Sequence, residues 1–395
     1  MGKEQRESKR RDFLKMIGIA SLGLGFSHAL RLASSKTFLQ EGSLTLPYSY
    51  VIYNDEGVVK ARNGRNGMVE FVGDAYKVLS KVFSKLAGKG GRIGFLVGEY
   101  EISEPLNVPS KVELVGLENP YSNVVLKGEQ GVFVLENVKK VTIKGLTLSG
   151  GNGSGDLIRA IKSDMVVLEN LHLTGNFGNG IYVEECWDWV LQNVYISFVG
   201  SLDGGAAIRA RKPSIPRGSG GCADWLLLRL WLEDLDDRGK GIDGNDPSGE
   251  PVFVNCSFLA CKLHGVFNDV VFDVGLRSSS IIGCYFTKTK KQALIVRGSN
   301  NRIIGCYFAS APNSSFENVR LCDNWNSISD CIFVNTGGDA NIIIDDSVDD
   351  ASKIVVSNCI FHNSETKPYV VNYGNGRPIL NELSGNAGKS ENSGK

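Results

Sequence analysis

The sequence predicts an all-β protein in which a single chain winds into a parallel β-helix with three short strands per coil, and three observations lead to that prediction. One pattern recurs about every 25 residues, which is the period of a solenoid coil. Within each copy apolar and polar residues alternate over short segments, as in Val166-x-Leu168 and Leu171-x-Leu173, and this alternation is typical of strands. Glycine supplies 47 of the 395 residues, well above the usual ~7%, which indicates many tight turns.

The repeat is clearest in its cysteines. Five segments carry a Cys two residues before a Phe, and the earlier copies carry Leu or Val where the Cys stands. We assign these cysteines to one inward position on successive coils: Cys256, Cys284, Cys306, Cys331 and Cys359. Stacked about 4.8 Å apart, they are predicted to form a buried ladder of free thiols, because side chains that point the same way are poorly oriented for disulfide bonds.

Each copy also carries a residue suited to a sharp bend, directly before the ladder position. Gly, Asn or Asp fills this place in most copies, and these residue types tolerate a left-handed backbone. Arg229 is the exception. In the copy around Cys256 we assign the bend to Asn255 and the next strand to Val266, with Phe267 facing outward.

The N-terminus predicts export. Residues 1–35 hold seven Lys or Arg against three Asp or Glu, and the apolar run Met16–Leu30 is shorter than the ~20 residues of a membrane-spanning helix, as in a signal peptide. The segment Lys9-Arg10-Arg11-Asp12-Phe13-Leu14-Lys15 resembles a twin-arginine signal. That resemblance implies passage through the twin-arginine translocation machinery in folded form. It also implies an extracytoplasmic location, secreted, periplasmic or at the cell surface, without stable membrane insertion after processing.

Residues 36–90 are predicted to form a strand-rich lead-in and one amphipathic helix. Six apolar residues fall on one face of that helix: Ala75, Val78, Leu79, Val82, Phe83 and Leu86. Asp74 suits the N-cap and Gly88 the C-terminal stop. Such a helix would cover the open end of the β-helix, where strand edges are unpaired. Residues 91–378 then form the β-helix and residues 379–395 a flexible tail.

The entry to the repeat resembles a known superfamily. The segment Gly91-Arg92-Ile93 to Gly98-Glu99-Tyr100-Glu101-Ile102, followed by Leu106-x-Val108-Pro109-Ser110, resembles the N-terminal motif of the pectate-lyase-like right-handed β-helix superfamily. Val97 replaces the usual Pro of that motif. The resemblance implies right-handed winding, and a polysaccharide substrate or ligand lying in a groove along the outside of one sheet.

The repeat frame assigns that groove to the sheet whose inward residues include Ile181, Ile208 and Ile242. In the middle coils its outward rows are dense in charge. The candidate site residues in or beside these rows are Arg209, Arg211, Asp237, Lys240, Asp243, His264, Asp269 and Arg297. Asp243 is expected to be exposed at the centre. Alternating Arg and Asp on adjacent strands could equally form ion-pair ladders that only keep the face soluble.

Two chemistries fit these residues. A lyase acting on an acidic, uronate-containing polysaccharide needs cations that neutralise the carboxylate and a base that takes the C5 proton. The four basic candidates could supply both, with a Ca²⁺ held between Asp243 and Asp269 as the one cofactor considered. A glycoside hydrolase needs two carboxyl groups flanking the scissile bond, for which Asp237 and Asp243 are candidates. Lyase chemistry is slightly favoured.

A non-catalytic surface protein that binds carbohydrate is the third alternative, because a fold does not by itself establish a function. Nucleic acid is not an expected partner, since 43 basic residues balance 43 acidic ones and nucleic-acid binders normally carry a clearly basic surface.

A row of ring-bearing residues shares one outward frame: His172, Tyr195, Trp231, Tyr285 and Tyr307. This row could be a platform on which sugars stack. It could equally pack beneath overlying loops.

Overall fold

The computed structural model describes residues 47–117, 124–176, 178–200, 205–212, 221–233, 239–246, 252–264, 272–289, 291–310, 314–334, 338–362, 368–385 and 391–392. These residues form an all-β, right-handed parallel solenoid of about ten coils, which confirms the predicted fold class. Within the described ranges no helix is long and apolar enough to cross a membrane. The predicted signal segment lies outside these ranges.

The strands of the described residues fall into three sheets. Sheet A contains Tyr50–Asp55, Val58–Asn63, Val69–Gly73, Gly91–Phe95, Gly98–Glu101, Val112–Gly116, Val124–Lys127, Lys139–Lys144, Thr147–Gly153, Asp164–Asn176, Val190–Val199, Leu226–Leu228, Trp231–Glu233, Ser257–Leu259, Lys262–His264, Ser280–Ile282, Tyr285–Thr289, Arg302–Ile304, Tyr307–Ser310, Ser327–Ser329, Ile332–Val334, Val355–Ser357, Ile360–His362, Ile379–Asn381 and Ser384–Gly385. Sheet B contains Leu106–Asn107, Gly131–Glu136, Asp156–Ile161, Ile181–Glu184, Ala206–Arg211, Lys240–Gly244, Phe272–Val274, Leu294–Val296, Val319–Leu321, Ile342–Ile344, Val370–Asn372 and Glu391–Asn392. Sheet C contains Cys222–Ala223, Phe253–Val254 and Leu276–Arg277.

Sheet B has the in-register parallel pairing that the repeat predicts. Ile181, Ile208 and Ile242 lie opposite one another on successive strands, and all three are buried. Because side chains alternate across a strand, the next residue of each strand points out of the coil. These outward residues form one line along the solenoid: Arg159, Tyr182, Arg209, Asp243, Asp273, Ile295, Arg320 and Ile343.

One coil departs from the predicted register. Cys261, not Cys256, continues the ladder, since its carbonyl accepts a hydrogen bond from the Tyr285 amide at 2.9 Å, while the Lys262 amide bonds to the Leu230 carbonyl at 2.8 Å. The bend before it is Ala260, with a φ of 51°. The next strand is accordingly Phe272–Val274, so Asp273 occupies the outward position that we assigned to Phe267.

The slip has a physical cause. Asn255 also adopts a left-handed conformation, with a φ of 55°, but it belongs to a different bend of the same coil. Cys256 occupies the position that Trp225 has on the preceding coil, because the Ser257 amide donates to the Trp225 carbonyl at 2.8 Å. Two left-handed bends, each followed by a Cys, therefore lie five residues apart, at Asn255 and Ala260. The bend before the ladder position is at Ala260, which is not one of the Gly, Asn or Asp residues that usually indicate such a bend.

The interior is a stack of like side chains. The rings of Phe286, Phe308, Phe333 and Phe361 lie face to face with centroids 4.9, 5.0 and 4.9 Å apart. All nine cysteines are free thiols, and eight of them are buried. The predicted ladder of buried thiols is therefore present, with Cys261 in the place of Cys256.

A single long helix, α1, spans Ala75–Leu86, and a 3₁₀ helix spans Ala351–Lys353, in the described part of the chain. Asp74 caps α1, since its side chain accepts a hydrogen bond from the Lys77 amide at 2.8 Å. The six predicted apolar residues of α1 are buried. The lead-in strand Tyr50–Asp55 pairs in parallel with Gly91–Phe95 and so extends sheet A. The role of α1 as a cover for the end of the solenoid remains a prediction.

The predicted tail contains further strands. Ile379–Asn381 pairs with Val355–Ser357, and Ser384–Gly385 pairs with the strand Ile360–His362. The coil pattern therefore continues beyond residue 378, where the sequence prediction ended it.

Candidate functional site

Two carboxylates lie side by side at the middle of sheet B. Asp243 and Asp273 are directly opposite each other on neighbouring strands. Their side chains are only 3% and 5% exposed. Like charges in opposite positions of a sheet repel, and buried carboxylates are costly without partners, so this arrangement requires cations close by.

Two arginines from the preceding strand supply cations to Asp243. Arg209 donates from Nε to Oδ2 of Asp243 at 3.2 Å, and Arg211 donates from Nη2 to the same oxygen at 2.5 Å. Arg211 also donates from Nη1 to the backbone oxygens of Asp243 and Ala210, at 3.1 and 2.9 Å. These bonds fix the guanidinium group of Arg211 in one orientation.

Asp273 has an equivalent set of partners. Arg297, directly after the following strand, donates from Nε to Oδ1 of Asp273 at 2.7 Å, and Asn245 donates from Nδ2 to Oδ2 at 3.4 Å. The ammonium of Lys240 lies 3.6 Å from a carboxylate oxygen of Asp243 and 3.6 Å from one of Asp273. Lys240 thus bridges the two acids.

We call these six residues the charged cluster: Arg209, Arg211, Lys240, Asp243, Asp273 and Arg297. Four cations surround two carboxylates, so its formal charge is +2. The basic side chains are 21–37% exposed and the acidic ones are almost covered. The surface of the cluster is therefore cationic, with its counter-charges underneath.

The ion pairs shift the pKa of two groups of the cluster, Asp243 and Arg297. Burial acts to raise the pKa of Asp243, but the hydrogen bond from Arg211 and the charges of Lys240, Arg211 and Arg209 outweigh it and hold the pKa below its usual value. Burial acts to lower the pKa of Arg297, and its bond to Asp273 more than compensates, so that pKa is raised.

Charge continues along sheet B on either side. Towards the N-terminus, the guanidinium of Arg159 lies 4.7 Å from the ring centre of Tyr182, whose hydroxyl donates to Glu184. Burial, followed by the bond to Glu184, raises the pKa of Tyr182 to about 12. Towards the C-terminus, Arg320 bonds to Glu317 at 2.5 Å and to Asp345 at 3.0 Å.

The structure brings together five of the predicted site residues: Arg209, Arg211, Lys240, Asp243 and Arg297. Asp243, however, is buried and not exposed, because the arginines of the preceding coil cover it. His264 is on sheet A, outside the cluster, and bonds through Nδ1 to the Thr287 hydroxyl at 2.6 Å. Asp237 and Asp269 lie outside the described residues.

Asp273 is the cluster residue that sequence reasoning missed. Because the predicted register of that coil was wrong, Phe267 was assigned to the outward position that Asp273 occupies. A signal was present, because Phe272-Asp273-Val274 has an apolar residue before an outward Asp, as Ile242-Asp243-Gly244 does.

The cluster does not suit a calcium ion. No group of three His, Cys, Asp or Glu side chains with metal-binding geometry occurs among the described residues. Oδ2 of Asp243 is taken by two arginines, and four positive charges adjoin the two carboxylates. A divalent cation would have to displace them.

The chain resembles known proteins in fold. Residues 130–308 match the family model described as the right handed beta helix region, and this range contains the charged cluster. No curated protein matches the sequence.

Three solved structures illustrate the likeness. The catalytic domain of a GH87 α-1,3-glucanase in complex with nigerose has a TM-score of 0.58 and 14% identity, over 81% of this chain and 64% of its own. The A-module of mannuronan C-5 epimerase AlgE6 of Azotobacter vinelandii has a TM-score of 0.53 and 11% identity, over 79% and 94%. PfbA, a surface adhesin of Streptococcus pneumoniae, has a TM-score of 0.54 and 12% identity, over 81% and 90%. These likenesses show that the chain has the right-handed β-helix fold.

Proposed function

We propose that the charged cluster binds the carboxylates of an acidic, uronate-containing polysaccharide outside the cytoplasm. The observation that carries this proposal is the arrangement of four partly exposed cations above two buried carboxylates. Arginine matches the planar geometry of a carboxylate and binds it through paired hydrogen bonds. The excess of positive charge remains available to a ligand.

The geometry of sheet B suits a polymer. Its outward line runs along the solenoid, and arginines recur in it at Arg159, Arg209 and Arg320. An extended chain lying along the sheet would meet cations at several coils. Two proteins with this fold are named for polysaccharides, namely mannuronan and α-1,3-glucan, and that supports a polysaccharide ligand by analogy of fold.

Lyase chemistry is the reaction that we assign to the cluster. Arg209, Arg211 and Arg297 would neutralise the uronate carboxylate, which makes the C5 proton more acidic. As a base takes this proton, a C4–C5 double bond forms, the C4–O glycosidic bond breaks and the leaving oxygen takes a proton from water. Glu184 is the candidate proton acceptor, because it lies directly opposite Arg211 in the register of sheet B. Its bond to the hydroxyl of Tyr182 holds it on the outer face.

Hydrolysis is less well supported by the same residues. A glycosidase needs two carboxyl groups on opposite sides of the bond that it cleaves. Asp243 and Asp273 lie beside each other beneath the cations and are held in ion pairs. Non-catalytic binding is the second candidate function, since both carboxylates of the cluster are engaged in ion pairs with its own cations.

The proposal also covers export, membership of a superfamily and the role of α1. The twin-arginine signal in residues 1–35 lies outside the described residues, and we propose that it directs the folded protein out of the cytoplasm. Membership of the pectate-lyase-like superfamily and a capping role for α1 are likewise proposed.

The experiment is incubation of the mature protein with a panel of uronate-containing and neutral polysaccharides. Unsaturated, UV-absorbing products from an acidic polymer would support a lyase, and new reducing ends without UV absorption would indicate hydrolysis instead. Glu184→Gln should abolish turnover while leaving binding intact. Binding without products would favour the non-catalytic role, and no interaction with any acidic polymer would refute the proposal.

A further inference from the structure

A second surface on the solenoid lies on sheet A, away from the charged cluster. Six outward residues on successive coils pair in register and form one file: His172, Tyr195, Trp231, Lys262, Tyr285 and Tyr307. We call it the outer aromatic row. With coils about 4.8 Å apart, it extends for about 24 Å along the axis.

The side chains of the row stack on one another. The rings of His172 and Tyr195 are 4.7 Å apart and nearly parallel, and the rings of Tyr195 and Trp231 are 5.4 Å apart. The ammonium of Lys262 lies 4.1 Å from the ring centre of Trp231. Tyr285 and Tyr307 follow with centroids 5.9 Å apart. These contacts hold the rings in place before any ligand arrives.

The middle of the row is open to solvent. Trp231 is 40% exposed and Tyr285 is 55% exposed. These two rings are therefore not packed beneath overlying loops, which was one of the two alternatives that the sequence left open. Exposure of large aromatic side chains has a cost in water, and two exposed rings within one file favour a binding role.

We infer that the outer aromatic row is a second glycan-binding surface, on which a polysaccharide chain lies along the solenoid axis with its sugar rings packed against the exposed parts of Trp231 and Tyr285. A pyranose has an apolar face of C–H groups and a polar rim of hydroxyl groups. The solvent-exposed parts of the Trp231 and Tyr285 rings receive the former. The next outward residues of the same strands, among them Glu233, His264 and Thr287, offer polar groups to the latter.

The shape of the row favours a linear glycan over a protein partner. A stable protein interface needs a broad patch with an apolar centre. This row is one side chain wide, and the next outward residues of its strands are polar, among them Ser197, Glu233, His264 and Thr287. The inference does not rest on the proposed chemistry of the charged cluster, because the row lies on a different sheet.

The test is binding of the double variant Trp231→Ala/Tyr285→Ala to neutral and acidic polysaccharides by affinity electrophoresis. We expect its affinity for at least one polymer that the wild type binds to fall roughly fivefold or more, as for other stacking platforms. That loss should persist at high salt, where binding by the charged cluster is screened. Trp231→Phe/Tyr285→Phe keeps flat rings in the row and should retain binding.

Trp325→Ala is the matched control, because Trp325 is 60% exposed but lies outside the row. Thermal unfolding of each variant shows whether it is folded. Wild-type affinity in the double alanine variant would overturn the inference, as would an equal loss in Trp325→Ala or failure of the wild type to bind any polysaccharide. Concentration-dependent self-association that the double variant abolishes, without glycan binding, would assign the row to protein contact instead.

Discussion

Asp243 and Asp273 face each other on neighbouring strands of sheet B, and the ammonium of Lys240 lies 3.6 Å from an oxygen of each. The two carboxylates therefore hold the cations above them in position. Arg209 and Arg211 depend on the first acid and Arg297 on the second. The acids therefore set the positions of the groups that face solvent.

The first prediction is that Asp243→Asn destabilises the protein. The variant keeps the shape of the side chain but leaves Arg209, Arg211 and Lys240 without their shared counter-charge. Removal of one partner from a buried ion pair is costly, and we expect the free energy of unfolding to fall by about 3 kcal/mol. Denaturant titration measures it.

Asp188→Asn is the control for that change. Asp188 is exposed and has a φ of 57°, a conformation that Asn tolerates, so its variant should stay within ~0.5 kcal/mol of the wild type. Equal stability of Asp243→Asn and the wild type would show that Asp243 is an exposed residue, as the sequence alone suggested.

The second prediction concerns acid. The pKa of Asp243 is lower in the folded protein than its value of about 3.9 in an unfolded chain. The charged form therefore stabilises the fold fully above that unfolded value, and this contribution disappears as the pH falls through the folded-state pKa. The difference in unfolding free energy between wild type and Asp243→Asn should be constant near neutral pH and shrink below about pH 4. A difference that grows on acidification would contradict this.

The sequence could predict the repeat but not every register within it. Ile181, Ile208 and Ile242 keep one frame, and that frame placed Asp243 correctly in the outward row. At Ala260 the bend has a left-handed backbone without a Gly, Asn or Asp to mark it. The coil then imposes the conformation on an unfavourable residue, as it also does at Arg229, with a φ of 54°.

The burial of Asp243 could not be predicted from the frame either. Alternation shows only that the side chain points out of the coil. Its cover comes from Arg209 and Arg211, which belong to the preceding coil and fold back over it. Such burial depends on side-chain orientation between coils that are far apart in sequence, and a pattern of residue types does not encode it.

The third prediction concerns the thiols. Burial raises the pKa of Cys222 to about 12, and the ladder cysteines are equally enclosed. Native protein treated with a thiol reagent at neutral pH should be labelled at one site at most. That site is Cys322, the one cysteine that is partly exposed, and it should react slowly because burial raises its pKa to about 12 as well.

All nine cysteines should label after denaturation without reductant, since all are free. Cys322→Ser should remove the native signal. Rapid native labelling of several cysteines, or fewer than nine after denaturation, would contradict the buried ladder.

The fourth prediction concerns export. Replacement of Arg10→Lys together with Arg11→Lys should retain the protein in the cytoplasm, because twin-arginine systems recognise that pair. Lys3→Arg/Lys9→Arg, which preserves the pair, is the control and should be exported. Fractionation followed by immunoblotting measures the distribution. Normal export of the first variant would remove the twin-arginine assignment.

Calorimetric titration of a uronate oligosaccharide and of its carboxyl-reduced counterpart tests the central claim most directly. If the charged cluster binds carboxylates, the acidic ligand should bind and the reduced ligand should not. Arg211→Gln should weaken binding of the acidic ligand about tenfold, which is the loss expected when a hydrogen bond to a charged group is removed. Arg302→Gln, which removes an exposed arginine from sheet A, should have no effect. Equal binding of the two ligands, or an equal loss in both variants, would contradict the account.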